Sequence, residues 1–363
     1  LSVEQPDPFD LARLGWTEDR QSHLQQNHPD LQAARVAIEH RGAYTVFTDD
    51  GELAAEITGR MRHETVLRTD LPAVGDWVAV RRLPGERKAM IEAVLPRRSS
   101  FSRDVAGLRT EEQVLAANVD KLFVVSGLDG DLNVRRIERF LTLGWESGAT
   151  PVVVLTKTDK CDDVAGALAE VARSAPGVEI FPVCALDGSG LGALRAELAG
   201  DPTIAVLGSS GVGKSTLING LLDAELMVTD SVRWDGRGKH TTTHRQLIPL
   251  PDGGALIDTL GLRELRLWDA DTGIDTSFND IAGLAEGCHF TDCSHEHEPG
   301  CAVLAALEKG HLEEDRLASY RKLKRELAAL ERRKDVHLAR EHARRFKHLA
   351  AEGRAKSRAK GRF

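Results

Sequence analysis

The strongest chemical signal in the chain is Gly208-Ser209-Ser210-Gly211-Val212-Gly213-Lys214-Ser215-Thr216. These residues fit G-x-x-x-x-G-K-[S/T], in which glycines let successive backbone N–H groups turn inward onto phosphate oxygens. Lys214 would set a point charge on the β and γ phosphates. The Ser215 hydroxyl would ligate Mg2+, and the N-terminus of the following helix favours an anion. A neighbouring strand should end in an Asp that reaches the metal through water. LIDTLG supplies Asp258, with Gly261 placed to give its N–H to the γ-phosphate. Between the two lies GRGKHTTTHR (236–245), a polar loop. One of Thr241, Thr242 or Thr243 is expected to close over Mg2+ and the γ-phosphate as a switch, and Thr242 is assigned to the metal.

Which base sits above the phosphates is a separate question. No Asn-Lys-x-Asp follows the phosphate loop; the nearest relative of that motif is TKTD at 156–159, ahead of it. Guanine presents an N1–H and an exocyclic amine side by side, and the Asp159 carboxylate can accept from both while the Lys157 stem covers the ring. Thr156 stands where many GTPases have Asn, which should lose one loop-bracing amide. The next strand ends in CAL (184–186), where Cys184 replaces Ser and the Ala185 N–H can reach the guanine carbonyl. The nucleotide is therefore read as GTP or GDP, with the base-reading half of the domain placed before the phosphate-binding half. Sheet neighbours do not depend on chain order, so a circularly permuted chain can build the same site. The rival is an ATPase with a chance TKTD.

Leu262 follows the D-x-x-G run, where some GTPases place a water-orienting Gln. A Leu cannot orient water, so intrinsic hydrolysis is expected to be slow, with His240 as the candidate catalytic group. Gly211 counts against assistance by a monovalent cation. Farther on, GCHFTDCSHEHEPGC offers Cys288, Cys293, His295 and Cys301 in the spacing C-x4-C-x-H-x5-C, with His289 and His297 as competing ligands. Three thiolates and an imidazole make a closed, structural zinc site. Residues 1–16 do not read as an export signal, and on that expectation five cysteines, three of them crowded into 288–301, favour a metal over disulfides. Cys161 and Cys184 lie too far along the chain to join them.

The elements that must position these residues fall into three styles. Residues 1–33 are polar and read as a flexible arm. From 34 to 110, short alternating strands with a hairpin signal at Asp50-Gly51 suggest a small OB-like β-barrel that binds RNA. Its last part, PRRSSFSR (96–103), mixes Arg, Ser and Phe in a way that suits phosphate contact and base stacking, or a plain linker. Residues 111–280 alternate buried strands with helices, the mark of a parallel α/β sheet, and every nucleotide motif falls at the C-terminal end of a strand. Residues 281–350 hold the cysteines and a long amphipathic basic helix; 351–363 read as a disordered basic tail. The fold class is thus multidomain: an N-terminal OB-like β-barrel, a central circularly permuted α/β P-loop GTPase domain and a C-terminal zinc-binding helical domain.

Charge follows the same division. The net charge is −8, against a simple nucleic-acid binder, yet residues 316–363 carry 17 Lys+Arg and 5 Asp+Glu, leaving −20 on the rest. An acidic body with a basic tail suits a nucleic-acid partner for the tail, and equally a plain solvated charged helix. No apolar run is long enough for a membrane span, so a cytoplasmic protein without a membrane partner is expected.

The order TKTD, GSSGVGKST, HTTT, DTLG resembles the circularly permuted GTPases. The barrel in front, with GRGKHTTTHR and CHFTDCSHEHEPGCAV, narrows the resemblance over residues 34–330 to the small-ribosomal-subunit-dependent GTPase A (RsgA) family. The resemblance implies a GTPase that binds the 30S subunit and its 16S-type rRNA, assists late maturation, and is stimulated by the subunit. It also prefers His295 as the fourth zinc ligand. Leu260 departs from the family's usual Pro. The alternative is a zinc-dependent rRNA-binding module that uses GTP or GDP only as a sensed ligand. A monomer is expected.

Overall fold

The computed structural model describes residues 10–40, 42–65, 67–105, 111–222, 245–258 and 271–328, and of Asp104, Val105, Glu111, Asp258, Asp271 and Thr272 the backbone only. Five strands come first: β1 (Gln32–Glu39), β2 (Tyr44–Thr48), β3 (Gly51–Ile57), β4 (Trp77–Arg82) and β5 (Lys88–Val94). Their order is β1-β2-β3-β5-β4, and β1 also pairs with β4, so the sheet closes into a barrel. The β3–β5 pair is parallel and the others antiparallel. Closure removes both open edges. Alternation explains the inside: along β3, Leu53, Ala55 and Ile57 are buried while Glu52, Ala54 and Glu56 face out. They meet Val36, Val46, Val80 and Ile91 in the barrel core. The hairpin turn lies at Asp49-Asp50, one residue before the expected one, because Thr48 pairs directly with Gly51.

Residues 10–33 are not a flexible arm. They contain helix α1 (Glu18–Asn27), and Leu11, Leu14 and Leu24 are buried. Three leucines set so far apart show no periodicity, yet burying each is worth roughly 1.5–3 kcal/mol. The Arg13 carbonyl accepts from Gly254 N–H at 2.7 Å, and the Trp16 ring lies 4.8 Å from that of Trp77. The segment thus bridges the barrel and the α/β sheet. Arg35, 1 % exposed, sits at the same seam. It donates to Thr203 Oγ1 at 2.6 Å and to the Leu14 carbonyl, with its guanidinium 4.8 Å from the Trp77 ring centre. Burial pushes its pKa down to about 9.

The stretch 96–103 neither stacks bases nor forms a plain linker. Phe101 is 2 % exposed, inside the core, and Arg97 grips Asp76 with bonds of 2.8 and 2.6 Å. Ser100–Val105 is strand β6, paired antiparallel with β7 (Glu111–Ala117).

The α/β part contains β8 (Lys121–Gly127), α3 (Val134–Ser147), β9 (Thr150–Thr156), α4 (Val164–Ser174), β10 (Ile180–Val183), α5 (Leu191–Ala196), β11 (Thr203–Gly208), α6 (Lys214–Leu222), β12 (Gln246–Pro249) and β13 (Ala255–Asp258). The second helix in chain order, α2 (Gly59–Glu64), belongs to the barrel. The sheet order is β10-β9-β8-β11-β13-β12, all parallel except β12. Helix α3 shows how sequence sets an element. Asn133 caps its N-terminus by accepting from Arg136 N–H at 3.0 Å, and Gly148, at φ +86°, ends it. Ile137 and Leu141, four apart, face the sheet.

Beyond the sheet lie α7 (Asp271–Ser277), α8 (Asn279–Ala285), α9 (Ala302–Glu308) and α10 over 314–328. Along α10, Leu317, Tyr320, Leu323 and Leu327 are buried while Ala318, Lys322 and Arg325 are exposed. The expected amphipathic basic helix is present over this part; residues 329–363 lie outside the described residues. Arg316 ties α10 to the α/β domain. It bonds Glu138 of α3 at 2.8 Å and Asp280 of α8 at 2.7 Å, and its guanidinium lies 4.6 Å from the Phe278 ring centre. Glu138 is 3 % exposed; burial pushes its carboxyl up, while Ser319 and Arg316 pull it back. Among the described residues no helix is long and apolar enough to cross a membrane.

Candidate functional site

The phosphate loop begins where β11 presses against β8. A Cβ on Gly208 would lie 2.4 Å from the Val125 carbonyl oxygen, so only glycine permits this approach. Gly211 and Gly213 take positive φ, +80° and +93°, which turns the backbone round the loop. Val212 points into the core at 1 % exposed, while Ser210 and Gly211 lie at the surface. Lys214 opens α6, followed by half-buried Ser215 and Thr216, and its Nζ donates to the carbonyls of Gly208 (2.9 Å) and Ser209 (2.6 Å). A rigid loop, a helix start and an ammonium thus converge at the C-terminal end of the sheet.

The TKTD motif follows β9, two strands away. Thr156 is buried, and its hydroxyl donates to the Val212 carbonyl at 2.5 Å. The loop brace expected to be lost with Asn is therefore made by a hydroxyl. Lys157 holds φ +61°, a left-handed conformation uncommon for a side chain with a Cβ. Its Nζ donates to the Gly211 carbonyl at 2.6 Å and to Asp129 Oδ2 at 2.5 Å. The base-side loop is thus anchored twice to the phosphate loop.

Asp129 escapes motif reading, because it belongs to none. The signal that could have found it is position: an acid just past β8, the strand lying between β9 and β11. A Cβ on Gly127 would lie 2.6 Å from Asp129 Oδ1, so glycine makes room for that carboxylate. Its hydrogen bond from Lys157 holds the Asp129 carboxyl below its ordinary range.

At the end of β10, the buried Cys184 thiol donates to Asp159 Oδ1 at 3.3 Å, which orients an otherwise exposed carboxylate. The loop carrying Ala185 is closed on itself. Cys184 N–H donates to the Ser189 carbonyl (2.9 Å), Gly188 N–H to the Cys184 carbonyl (3.0 Å), and Ser189 N–H to Asp187 Oδ1 (2.8 Å). The Ser189 bonds keep the Asp187 carboxyl low.

On the other side of β11, β13 runs parallel to it and ends at Asp258, at the same end of the sheet as the phosphate loop. His240, Thr241, Thr242, Thr243, Leu260, Gly261 and Leu262 lie outside the described residues.

The cysteine cluster is a separate site. Cys288, Cys293, His295 and Cys301 bring one ligand atom each within 4.8 Å of one another. The edges are 3.9 Å for Cys288–Cys301 and 3.6 and 3.5 Å from His295 Nδ1 to these two sulfurs. A tetrahedron with zinc–ligand lengths of about 2.3 Å (S) and 2.0 Å (N) has edges of about 3.8 and 3.5 Å. The quartet therefore fits zinc, and His289 and His297 are not part of it. The Cys301 sulfur accepts from the Leu304 N–H at 3.4 Å. Burial works to raise the Cys288 thiol, but the nearby backbone of Ala302 and Val303 and the other two thiols outweigh it and bring it down; burial and the neighbouring thiols push Cys293 up to about 11. Burial lowers the His295 pKa, keeping the imidazole neutral as a ligand. Arg321 of α10 donates to the His295 carbonyl, linking this loop to the basic helix.

A closed barrel, a phosphate-loop domain whose TKTD loop precedes its phosphate loop and a Cys3His module define the class: a circularly permuted GTPase. The family model described as RsgA GTPase matches residues 94–268, and one described as 50S ribosome-binding GTPase matches 203–335. The chain is 47 % identical to the small ribosomal subunit biogenesis GTPase RsgA of Opitutus terrae, over 97 % of this chain and 99 % of that protein. It is 46 % identical to the protein of that name from Streptomyces coelicolor, covering 96 % and 95 %. The crystal structure of YjeQ from Thermotoga maritima superimposes with a TM-score of 0.63 at 26 % identity, over 82 % of this chain and 99 % of that one. YloQ, a circularly permuted GTPase, gives 0.62 at 21 % identity over 84 % and 97 %, a likeness of fold alone. The chain belongs to the RsgA GTPase family.

Proposed function

We propose that this GTPase binds the small ribosomal subunit, assists its late assembly, and leaves after hydrolysing GTP to GDP and phosphate. The observation that carries this reading is the tie between two loops more than 50 residues apart. Thr156 and Lys157 of TKTD each donate to a phosphate-loop carbonyl, Val212 and Gly211. Loops braced in this way suit one nucleotide that spans both.

In that reading Asp159 accepts from guanine N1–H and the exocyclic amine, with Cys184 orienting the carboxylate. The Ala185 N–H meets the carbonyl, and the Lys157 stem lies over the ring. Gly208 to Thr216 wrap the phosphates, with Lys214 on β and γ. Ser215, Thr242 and Asp258 would hold Mg2+, which neutralises charge on the phosphates. Gly261 gives its N–H to the γ-phosphate. His240 orients the water that attacks the γ-phosphorus; the bond to the bridging oxygen breaks, and GDP leaves. Cys288, Cys293, His295 and Cys301 hold one structural zinc.

The relatives' name, small ribosomal subunit biogenesis GTPase, supports the partner. The basic face of α10 and the barrel would grip 16S-type rRNA as a monomer, with an affinity that falls as salt rises. The test is hydrolysis of GTP and ATP by the purified chain, with and without 30S subunits. GTP turnover should be slow alone and rise strongly with 30S, while ATP stays untouched. No turnover of either nucleotide in either condition would replace this reading with that of a nucleotide-sensing RNA-binding module.

A further inference from the structure

His295 is the least relaxed residue of the Cys3His site. It is 6 % exposed, and its φ of +58° lies in the left-handed region, which costs energy for a side chain with a Cβ. Something must hold the backbone there so that Nδ1 faces the sulfurs. One carboxylate occupies the right place. Glu298 Oε1 accepts from Ser294 N–H at 2.9 Å and from the Ser294 hydroxyl. Its Oε2 accepts from Glu296 N–H at 3.0 Å and His297 N–H at 3.1 Å. Four donors, the backbone N–H groups of Ser294, Glu296 and His297 and the Ser294 hydroxyl, thus converge on one carboxylate. Curled backbone of this kind forms a nest for an anion, and here the chain supplies the anion itself.

We propose that Glu298 is the positioning residue of this metal site. It fixes the Ser294–His297 turn so that His295 meets the three cysteines in ligating geometry before metal arrives. The inference rests on the reading of the quartet as a zinc site. Glu298 is not a ligand; it acts on the metal only through His295. Its reach extends to α10, because the His295 carbonyl, fixed by the same turn, accepts from Arg321.

The chemistry separates this from a merely charged surface residue. A Gln has the same shape, but only its single amide oxygen can accept, so two of the four donors lose their partner. A surface role would leave Glu298→Gln equal to the native chain. A positioning role makes Gln intermediate and Ala worst. Outer partners of metal ligands typically contribute 10–100-fold in affinity.

The experiment measures zinc transfer from the full-length zinc-loaded chain to an excess of a metallochromic chelator. Release from Glu298→Ala should be 10–100-fold faster than from the native chain, with Glu298→Gln between and Ser294→Ala, which removes one donor of four, within a few-fold of native. Amide hydrogen exchange at Glu296 and His297 should accelerate in the same order. Release within twofold of native for both Glu298 variants would overturn the proposal. If Glu298→Ala is purified without zinc, the Gln variant decides by rate. If the native chain itself carries no zinc, the metal-site reading fails, and not the role given to Glu298.

Discussion

The nucleotide site and the Cys3His site solve the same problem in opposite ways. The first gathers residues from Asp129 to Asp258, and the sheet brings them together: β9, β8, β11 and β13 lie side by side and end at one edge. The second draws all its ligands from 288–301, with no strand among the described residues there to hold them. It relies on close spacing along the chain, the Leu304 N–H on the Cys301 sulfur and one carboxylate that gathers the Ser294–His297 turn. A site set by a sheet tolerates rearranged chain order, as the permuted motifs here show. A local site does not; its spacing is its geometry. Perturbations should therefore stay local in the first site and spread through the second.

The largest effect is expected at Asp159. A carboxylate accepting two hydrogen bonds from guanine contributes roughly 1.5–3 kcal/mol per bond, or about 10²–10⁴-fold in affinity. Asp159→Asn should lose GDP by that factor and gain xanthosine diphosphate, whose ring offers an acceptor where guanine has its amine. Competition with a fluorescent nucleotide measures both. An unchanged preference for guanine would move base reading away from TKTD. The metal content of this variant should stay native, since among the described residues no hydrogen bond or ion pair joins Asp159 to the cysteine loop.

Next comes the place where the two regions meet. Arg316→Ala would leave Glu138, 3 % exposed, and Asp280 without their cation. Removing one partner of a buried ion pair costs about 3–5 kcal/mol. Chemical denaturation should show that loss, and α10 should exchange amide hydrogens faster while nucleotide affinity changes little. Equal weakening of GDP binding would mean that the two regions are one cooperative unit.

A smaller loss is expected at Thr156. Thr156→Val keeps the shape but leaves the Val212 carbonyl without its donor, a cost of about 1–3 kcal/mol. GDP affinity should fall about tenfold, and Thr156→Ser should restore it. If Val and Ser behave alike, the brace is not the hydroxyl.

What was legible in the sequence follows the same contrast. The phosphate loop, TKTD, Asp258 and the cysteine quartet stand out in the sequence as residue types at fixed spacing, and the fold sets the first three at one end of the sheet and the quartet together. The barrel was readable as short alternating strands, since a two-residue period needs only one buried face. Contacts between distant segments were not. Asp129 carries no motif, and nothing in the chain announces that it meets Lys157. Arg35 and Arg316 look like surface cations until the fold encloses them. The polar look of residues 10–33 hid three leucines that pack across two domains. The Ser100–Val105 strand was missed because its Arg and Ser residues suggested a solvated loop, while Phe101 carries its burial.

The smallest effect tests how finely the sheet-built site is tuned. Cys184 stands where a Ser would donate a stronger hydrogen bond, since a thiol is a weak donor. Its 3.3 Å contact orients Asp159 without locking it. Cys184→Ser should therefore leave GDP affinity equal or tighten it slightly. Cys184→Ala should weaken it by a few-fold, because a net hydrogen bond of this kind is worth roughly 0.5–1.5 kcal/mol or less. The informative quantity is the coupling with Asp159. In Asp159→Asn chains, adding Cys184→Ala should cost nothing further for guanine, because the carboxylate that the thiol orients is gone. Equal losses in both backgrounds would instead make Cys184 a packing residue, buried at the end of β10 for reasons unconnected with the base.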